Sequence, residues 1–359
     1  MSGALFTRQS KVVMRKLVII GDHFMRSDMF EKAIREKCPK NPLDISAHDL
    51  AWPDEPMEHG YAKTGMAGLK EYMGTEEGTV ALIDGAEILV THLAPLSAAI
   101  MDQCPSLKFV AVSRGGPVNI DMEAAKKRRV TVVNTPGRNA SAVAEFTIGA
   151  ILAETRLITR GHDALRQGLW RGDLYRADRT GEELSEMTVG VIGYGEIGTR
   201  VVRLLKAFGC RILVADPYVQ LSAGDLADGV EQVALDRLLA QSDVVTLHPR
   251  VTKETEKLIN AETLARMKPS AILINTARGP LVDYDALYDA LAGKRIRSAM
   301  LETFAIEPVP RDWPLLKLEN VTLTPHIAGA SVKTVTYAAG LVAEEVRRYL
   351  AGEPPVNRC

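Results

Sequence analysis

The sequence predicts an α/β protein in which a doubly wound parallel sheet is inserted into a second, discontinuous α/β domain. Three observations carry that reading. A chain of 359 residues is long enough for about two domains. Short apolar runs alternate with helical patterns in two successive series, the signature of parallel βα units. The second series begins only halfway along the chain, and the last segment is a helix that cannot extend a sheet.

The first series opens at Lys16 with KLVIIGD, continues with EILVTH from Glu87 to His92, and adds LKFVAVS from Leu107 to Ser113. Runs this rich in Val, Ile and Leu suit strands covered on both faces, and helical segments such as 29–37 separate them. Residues 52–68 have little periodicity and read as an insertion or long loop. The second series places strands at 188–192, 211–216, 243–248, 271–276, 298–302 and 321–324. Helices fall at 197–208, 235–240, 261–267 and 284–292. Six β-runs joined by right-handed crossovers are the count expected of a dinucleotide-binding sheet. The closing segment 331–351 carries an apolar stripe at Val335, Ala338, Ala339, Val342, Val346 and Leu350. The predicted domains are therefore residues 137–329, and residues 1–136 together with 330–359.

Composition narrows the function. Lys and Arg number 44 against 45 Asp and Glu, so no basic field points to nucleic acid or anionic lipid. The longest useful apolar run, from Phe146, stops at Glu154, well short of the ~18 residues of a membrane span. The basic opening residues lack the apolar core of a secretory signal. Cys38, Cys104, Cys210 and Cys359 lie far apart, with no metal-type spacing, and read as reduced thiols of a cytoplasmic protein.

Chemistry begins at Gly193-Tyr-Gly-Glu-Ile-Gly198, directly after the strand TVGVI and opening the next helix. The first glycine permits a tight turn, the second lets the backbone approach a pyrophosphate, and the third lets helix and strand pack closely. The next strand ends in Asp216, where a carboxylate accepts hydrogen bonds from the adenosine ribose and repels a 2′-phosphate. No Arg follows it in Asp-Pro-Tyr, which favours NAD over NADP. Arg278 in NTARGP follows the fourth strand, Glu307 in Ile-Glu-Pro follows the fifth, and His326 in TPHIAG follows the sixth. Each alone suits a solvated loop. An Arg, a Glu and a His converging on one sheet edge suit a catalytic site.

These residues resemble the NAD-dependent D-isomer-specific 2-hydroxyacid dehydrogenases, a family that includes phosphoglycerate dehydrogenase and hydroxypyruvate/glyoxylate reductases. The likeness runs from about Lys16 to the last helix and is strongest from NTPGRNASAVAEF at Asn134 to TPHIAG. It implies a flavodoxin-like substrate domain into which the Rossmann domain is inserted. It also implies that Arg278 binds substrate carboxylate and carbonyl, His326 is the acid–base group, and Glu307 pairs with His326. The cofactor-facing set becomes Gly193, Tyr194, Gly195, Glu196, Ile197, Gly198, Asp216, His248, Pro249, Thr276, Ala277, Arg278, Glu302, His326 and Gly329. The substrate-facing set becomes His92, Arg114, Gly115 and Gly116. No metal is implied.

Reducing a 2-oxo acid needs a hydride on carbon and a proton on oxygen. Protonated His326 would supply the proton, Glu307 would favour the imidazolium and fix its tautomer, and Arg278 would orient the carbonyl. Several positions depart from the family pattern. Glu302 in Leu-Glu-Thr-Phe stands where an Asp is usual, and the loop from Ser113 to Asp121 is about two residues short. His92 replaces a small polar residue, and Arg250 replaces a proline. Arg114, His92 and Arg138 would suit a sugar acid or a phosphorylated acid. The chain ends 33 residues after His326, too few for a C-terminal regulatory domain.

The rival from another class is an NAD-sensing scaffold resembling the transcriptional corepressors of this fold, which usually carry disordered or peptide-docking extensions. An S-adenosylmethionine enzyme would leave Arg278, Glu307 and His326 unexplained together. For assembly, residues 139–168 read as a long helix whose apolar residues Val143, Phe146, Ile148, Ile151, Leu152, Leu157 and Ile158 cover more than one face. That pattern, with the resemblance, predicts a homodimer in which Trp170 approaches the partner subunit.

Overall fold

The computed structural model describes residues 14–52, 66 and 68–359. The opening segment and most of the aperiodic 52–68 stretch therefore lie outside the described residues. The chain divides into two compact units. Among the described residues, one comprises 14–52, 66, 68–138 and Val335–Cys359, and the other comprises Asn139–Thr334.

The discontinuous unit is built on β1 (Arg15–Asp22), β2 (Leu43–Leu50), β3 (Ile88–Thr91), β4 (Phe109–Val112) and β5 (Thr131–Val133). They form a parallel sheet in the order β2-β1-β3-β4-β5. The pleat sends Leu17 and Ile19 to a core shared with Phe30, Ile34, Ala338, Val342 and Val346, while Val18 and Ile20 pack on the other face with Ile83, Leu96 and Ile100. The stripe read on the last helix, Val332–Ala351, is thus the face that it buries. Sequence reading missed β2 and β5. The edge strand β2, LDISAHDL, is half exposed and has no continuous apolar run, and β5 is only three residues long.

The central unit carries β6 (Thr188–Ile192), β7 (Arg211–Ala215), β8 (Glu231–Gln232), β9 (Val244–Leu247), β10 (Ile272–Asn275), β11 (Ser298–Leu301) and β12 (Val321–Leu323). Their order is β12-β11-β10-β9-β6-β7-β8, all parallel. The six expected strands are present, and β8 adds a two-residue seventh at the edge. Winding starts at β6, runs outward to β8, then returns to β9 on the other side of β6. In such a sheet ligands bind outside the carboxyl ends of the strands at this switch point. Val189, Val191, Val214 and Ile274 pack beneath helices Ala140–Thr155 and Gly198–Leu205. Leu213, Val245, Leu247 and Leu273 pack beneath Leu238, Leu264 and Leu287 on the opposite face.

One helix differs from its expectation. The 139–168 segment is two helices, Ala140–Thr155 and Ile158–Arg166, parted at Leu157 with φ +57°. The chain at Gly181 crosses so closely that a Cβ there would stand 1.8 Å from the Thr155 carbonyl oxygen. A contact from 26 positions away thus sits at the break, beyond the reach of local periodicity. Val143, Ile148 and Ile151 are buried, and Phe146 and Leu152 pack against the same core, so the first helix spends its apolar residues inside its own unit. Exposed apolar side chains appear only past the break, at Ile158, Leu165, Leu169, Trp170 and Tyr175.

Candidate active site

The glycine loop joins β6 to the helix Gly198–Leu205. Gly193 has φ +90°, and a Cβ there would meet the His248 carbonyl carbon and the Pro249 nitrogen at 2.8 Å. A Cβ on Gly198 would stand 2.0 Å from the Gly193 carbonyl oxygen, so the third glycine is what lets the loop close onto the helix. Gly195 has nothing within 4 Å of its missing Cβ and faces open space. This is the cradle that a pyrophosphate needs, and its residues fit a dinucleotide. Asp216 follows β7 immediately. One carboxylate oxygen accepts from the Tyr194 N–H at 2.8 Å, and the other accepts from Tyr218 and Val219 N–H groups at 2.8 and 3.0 Å. Three of about four acceptor sites are thus used to fix the loop. Tyr194 spends its N–H on Asp216 and its hydroxyl on Asp225, so its contribution to a ligand is positional. Glu196 and Ile197 complete the turn, and Glu196 pairs with Arg200.

At the β9 end, His248 bonds Thr246 through Nε2 at 3.0 Å, while its buried Nδ1 has no partner among the described residues. Burial brings its pKa down to about 3, so the ring is neutral at physiological pH. Arg250 is exposed. After β10, Asn275 accepts from Ala277 N–H and donates to the Arg278 carbonyl, shaping the turn that presents Arg278, while Thr276 bonds Thr147 at 2.8 Å. Arg278 is exposed, with Nη1 donating to the Ala277 carbonyl at 2.7 Å. Gly279 presses on the backbone of Phe304, where a Cβ would lie 1.9 Å from the carbonyl carbon. The Phe304 N–H in turn donates to Glu307 Oε1 at 2.6 Å. The loops after β10 and β11 are thereby set against each other.

Glu307 Oε2 lies 2.8 Å from His326 Nδ1, with side-chain exposures of 7% and 23%. The structure therefore brings together two residues that the sequence separates by 19 positions. His326 itself has φ +53°, a conformation unusual for a side-chain-bearing residue. Glu302 supplies what holds it there. Its backbone carbonyl accepts the His326 N–H at 3.0 Å, and its carboxyl Oε1 accepts the Ala328 N–H at 2.7 Å. Burial, and then the charge of Glu307, push the Glu302 pKa up to about 7 against an ordinary 4.5. Gly329 closes the same loop against Asn139, whose Nδ2 would be 2.6 Å from a Cβ.

The other expected residues belong to the discontinuous unit. Gly115 and Gly116 follow β4 and face open space. Arg114 is not available to an anion, because its guanidinium is held by the Glu71 carboxylate and also donates to the Glu71 carbonyl. His92 is buried, with Nδ1 at 2.6 Å from Asp22 Oδ2 and Nε2 at 3.3 Å from Arg138 Nη2. Sequence reading missed Asp22. The signal was there, as the acid that ends the first apolar run at the carboxyl edge of the sheet. Among the described residues no cluster could hold a metal ion, and no helix is long and apolar enough to cross a membrane.

Comparison with known proteins identifies the family. The family profile described as D-isomer specific 2-hydroxyacid dehydrogenase, NAD binding domain, matches residues 148–328. A glyoxylate reductase of Korarchaeum cryptofilum is 41% identical over 276 residues, covering 77% of this chain and 83% of that protein. A D-3-phosphoglycerate dehydrogenase of Mycobacterium tuberculosis is 39% identical over 274 residues, 76% of this chain and 51% of its own length. A D-lactate dehydrogenase structure from Escherichia coli matches with a TM-score of 0.74 at 27% identity, covering 96% of this chain and 99% of that one.

Proposed function

The chain belongs to the D-isomer-specific 2-hydroxyacid dehydrogenases, NAD-dependent oxidoreductases, and we propose that it interconverts its 2-hydroxy and 2-oxo acids through His326, Glu307 and Arg278. The observation that carries this assignment is the 2.8 Å contact of His326 Nδ1 with Glu307 Oε2. With Nδ1 donating to that carboxylate, Nε2 is the nitrogen that gives the proton to the carbonyl oxygen and reclaims it in oxidation. Glu307, fixed by the Phe304 N–H, stabilises the charged ring and keeps it from turning. Arg278 holds the substrate carboxylate and polarises the carbonyl. When bound, the nicotinamide supplies or accepts the hydride at C2.

The loop clamps support the same reading. Glu302 fixes the backbone on both sides of His326, and while it carries its proton Glu307 alone presents a negative charge to the ring. Gly193, Gly195 and Gly198 would hold the pyrophosphate, with His248 and Pro249 walling the loop. The Asp216 charge would disfavour a 2′-phosphate, giving NAD preference over NADP. Gly115 and Gly116 are the discontinuous unit's candidates for substrate carboxylate binding by backbone N–H groups.

We further infer a homodimer. Exposed Ile158, Leu165, Leu169, Trp170 and Tyr175 cluster in sequence around the arm after the broken helix. A groove of about 800 Å³ there is lined mostly by polar and charged side chains, among them Arg160, Asp163, Arg171 and Arg179, with Leu157 and Leu169 beside them. A second copy is the occupant we assign to the exposed apolar side chains of this arm, with Trp170 reaching the partner. The four unpaired cysteines fit a cytoplasmic location. The test of the reaction is transfer of deuterium from NADH deuterated at both C4 positions to C2 of a 2-oxo acid, with the product resolved by chirality. A D-configured, C2-labelled hydroxy acid is expected. An unlabelled or L-configured product would overturn the proposal.

A further inference from the structure

Glu307 reaches His326 from the chain that follows β11, and the Phe304 N–H holds its other oxygen, Oε1, at 2.6 Å. Behind Phe304 stands a group of aromatic side chains with no part in the reaction described so far. The Trp313 and Phe304 rings meet edge-on, with centroids 5.9 Å apart at 82°. Trp313 and Tyr284 meet in the same way at 5.2 Å and 61°. Such pairs fix ring orientation in addition to burying area. Phe304 is buried, and Trp313 and Tyr284 pack partly buried against the same core of the central unit.

Tyr284 opens the helix Tyr284–Ala292, a few residues past the turn that presents Arg278. Its hydroxyl donates to the Thr303 carbonyl at 2.8 Å. That carbonyl and the Phe304 N–H belong to one planar peptide unit, so the two bonds hold opposite sides of the same rigid group. Tyr284 grips one side, and Glu307 is gripped by the other. A donor on the carbonyl also polarises the amide and strengthens its N–H toward the carboxylate. The Asn275 side chain adjoins the same hydroxyl and donates to the Arg278 carbonyl at 3.0 Å. One phenol thus joins the chain after β10 to the chain after β11. Burial, and then the charge of Glu307, push its pKa far above the ordinary value, so the hydroxyl keeps its proton at physiological pH. Packing alone does not call for this hydroxyl. A phenylalanine would keep the edge contact with Trp313 and leave the Thr303 carbonyl without this donor.

We propose that Tyr284 is a positioning residue for Glu307: its hydroxyl sets the Thr303–Phe304 peptide, and that peptide sets the carboxylate facing His326. Trp313 holds the phenol ring in the orientation this needs. The assignment rests on the acid–base reading of His326 and Glu307 above and adds the element that aligns the pair.

The experiment measures kcat with NADH in wild type, Tyr284→Phe, Glu307→Ala and the double variant, with the Kd for NADH by fluorescence. The substrate is whichever of glyoxylate, pyruvate and hydroxypyruvate the wild type reduces fastest. Tyr284→Phe should lower kcat by about tenfold or more with the Kd for NADH unchanged, because a misaligned carboxylate misplaces the proton donor. Added to Glu307→Ala, the same substitution should cost less than about threefold, since its effect passes through Glu307. Trp313→Leu removes the edge contacts with both rings and should give a smaller loss of the same kind. It takes the place of Tyr284→Phe in the cycle if that variant does not bind NADH. Wild-type kcat in Tyr284→Phe, a loss matched by weaker NADH binding, or equal losses with and without Glu307 would overturn this assignment alone. A Glu307→Ala enzyme as fast as wild type, or a wild type that binds NADH and reduces none of the three acids, would overturn the acid–base reading and this assignment with it.

Discussion

Glu302 is the residue whose protonation the structure makes most consequential, and Glu302→Gln tests it. The side chain is 1% exposed, accepts the Ala328 N–H, and has its pKa pushed up to about 7 by burial and then by Glu307. In the unfolded chain the same carboxyl titrates near its ordinary 4.5. Between those values the native state holds a proton that the unfolded state has released, so stability falls as pH rises through the window. A gap of about 2.5 pH units at about 1.4 kcal/mol each integrates to about 3 kcal/mol. Glutamine is a neutral isostere that still accepts the Ala328 N–H. Urea unfolding followed by circular dichroism should therefore give nearly equal stabilities for wild type and variant at pH 5. At pH 8 the variant should be more stable by up to about 3 kcal/mol. A variant destabilised equally at both pH values would refute the reasoning, because it would mean that Glu302 is ionised throughout and held by hydrogen bonds alone.

Other outcomes follow from the same geometry. Asp216→Asn keeps an acceptor for the loop amides but removes the charge. The NADH-to-NADPH ratio of kcat/KM should drop by about tenfold or more, and an unchanged ratio would show that the carboxylate does not select the cofactor. Arg278→Ala should raise KM for 2-oxo acids and lower kcat while the Kd for NADH stays near wild type, measured by stopped-flow fluorescence. Light scattering at micromolar concentration should give twice the 39.1 kDa chain mass. A monomer mass would remove the dimer, and Trp170→Ala should then have no effect on substrate KM.

Much of this architecture is legible in the sequence because parallel strands buried on both faces must be continuous apolar runs. Thr188–Ile192, Ile272–Asn275 and Ser298–Leu301 stand out for that reason. The half-exposed β2 and the two-residue β8 do not, since neither buries enough to impose a pattern. Glycine positions were equally legible: Gly193, Gly195 and Gly198 each meet a different steric requirement that spacing alone encodes. Partnerships were not. That Arg114 is claimed by Glu71, 43 positions earlier, and that Asp22 stands behind His92 across 70, depends on which strand ends adjoin one another. The break at Leu157 is hidden likewise, because what crosses there is Gly181. That Arg278, Glu307 and His326 follow strands at one sheet edge is a matter of topology that needs no contact information, whereas the pairing of Glu307 with His326 was an implication of the family resemblance.

The most direct measurement is saturating NADH oxidation with a responsive 2-oxo acid, comparing wild type with His326→Ala under conditions where both bind NADH. General acid catalysis contributes about 10²–10⁴-fold, so turnover in the variant should fall by about a hundredfold or more with the Kd for NADH preserved. Turnover within a few-fold of wild type would contradict the account, because the proton on the substrate oxygen would then come from a group other than His326.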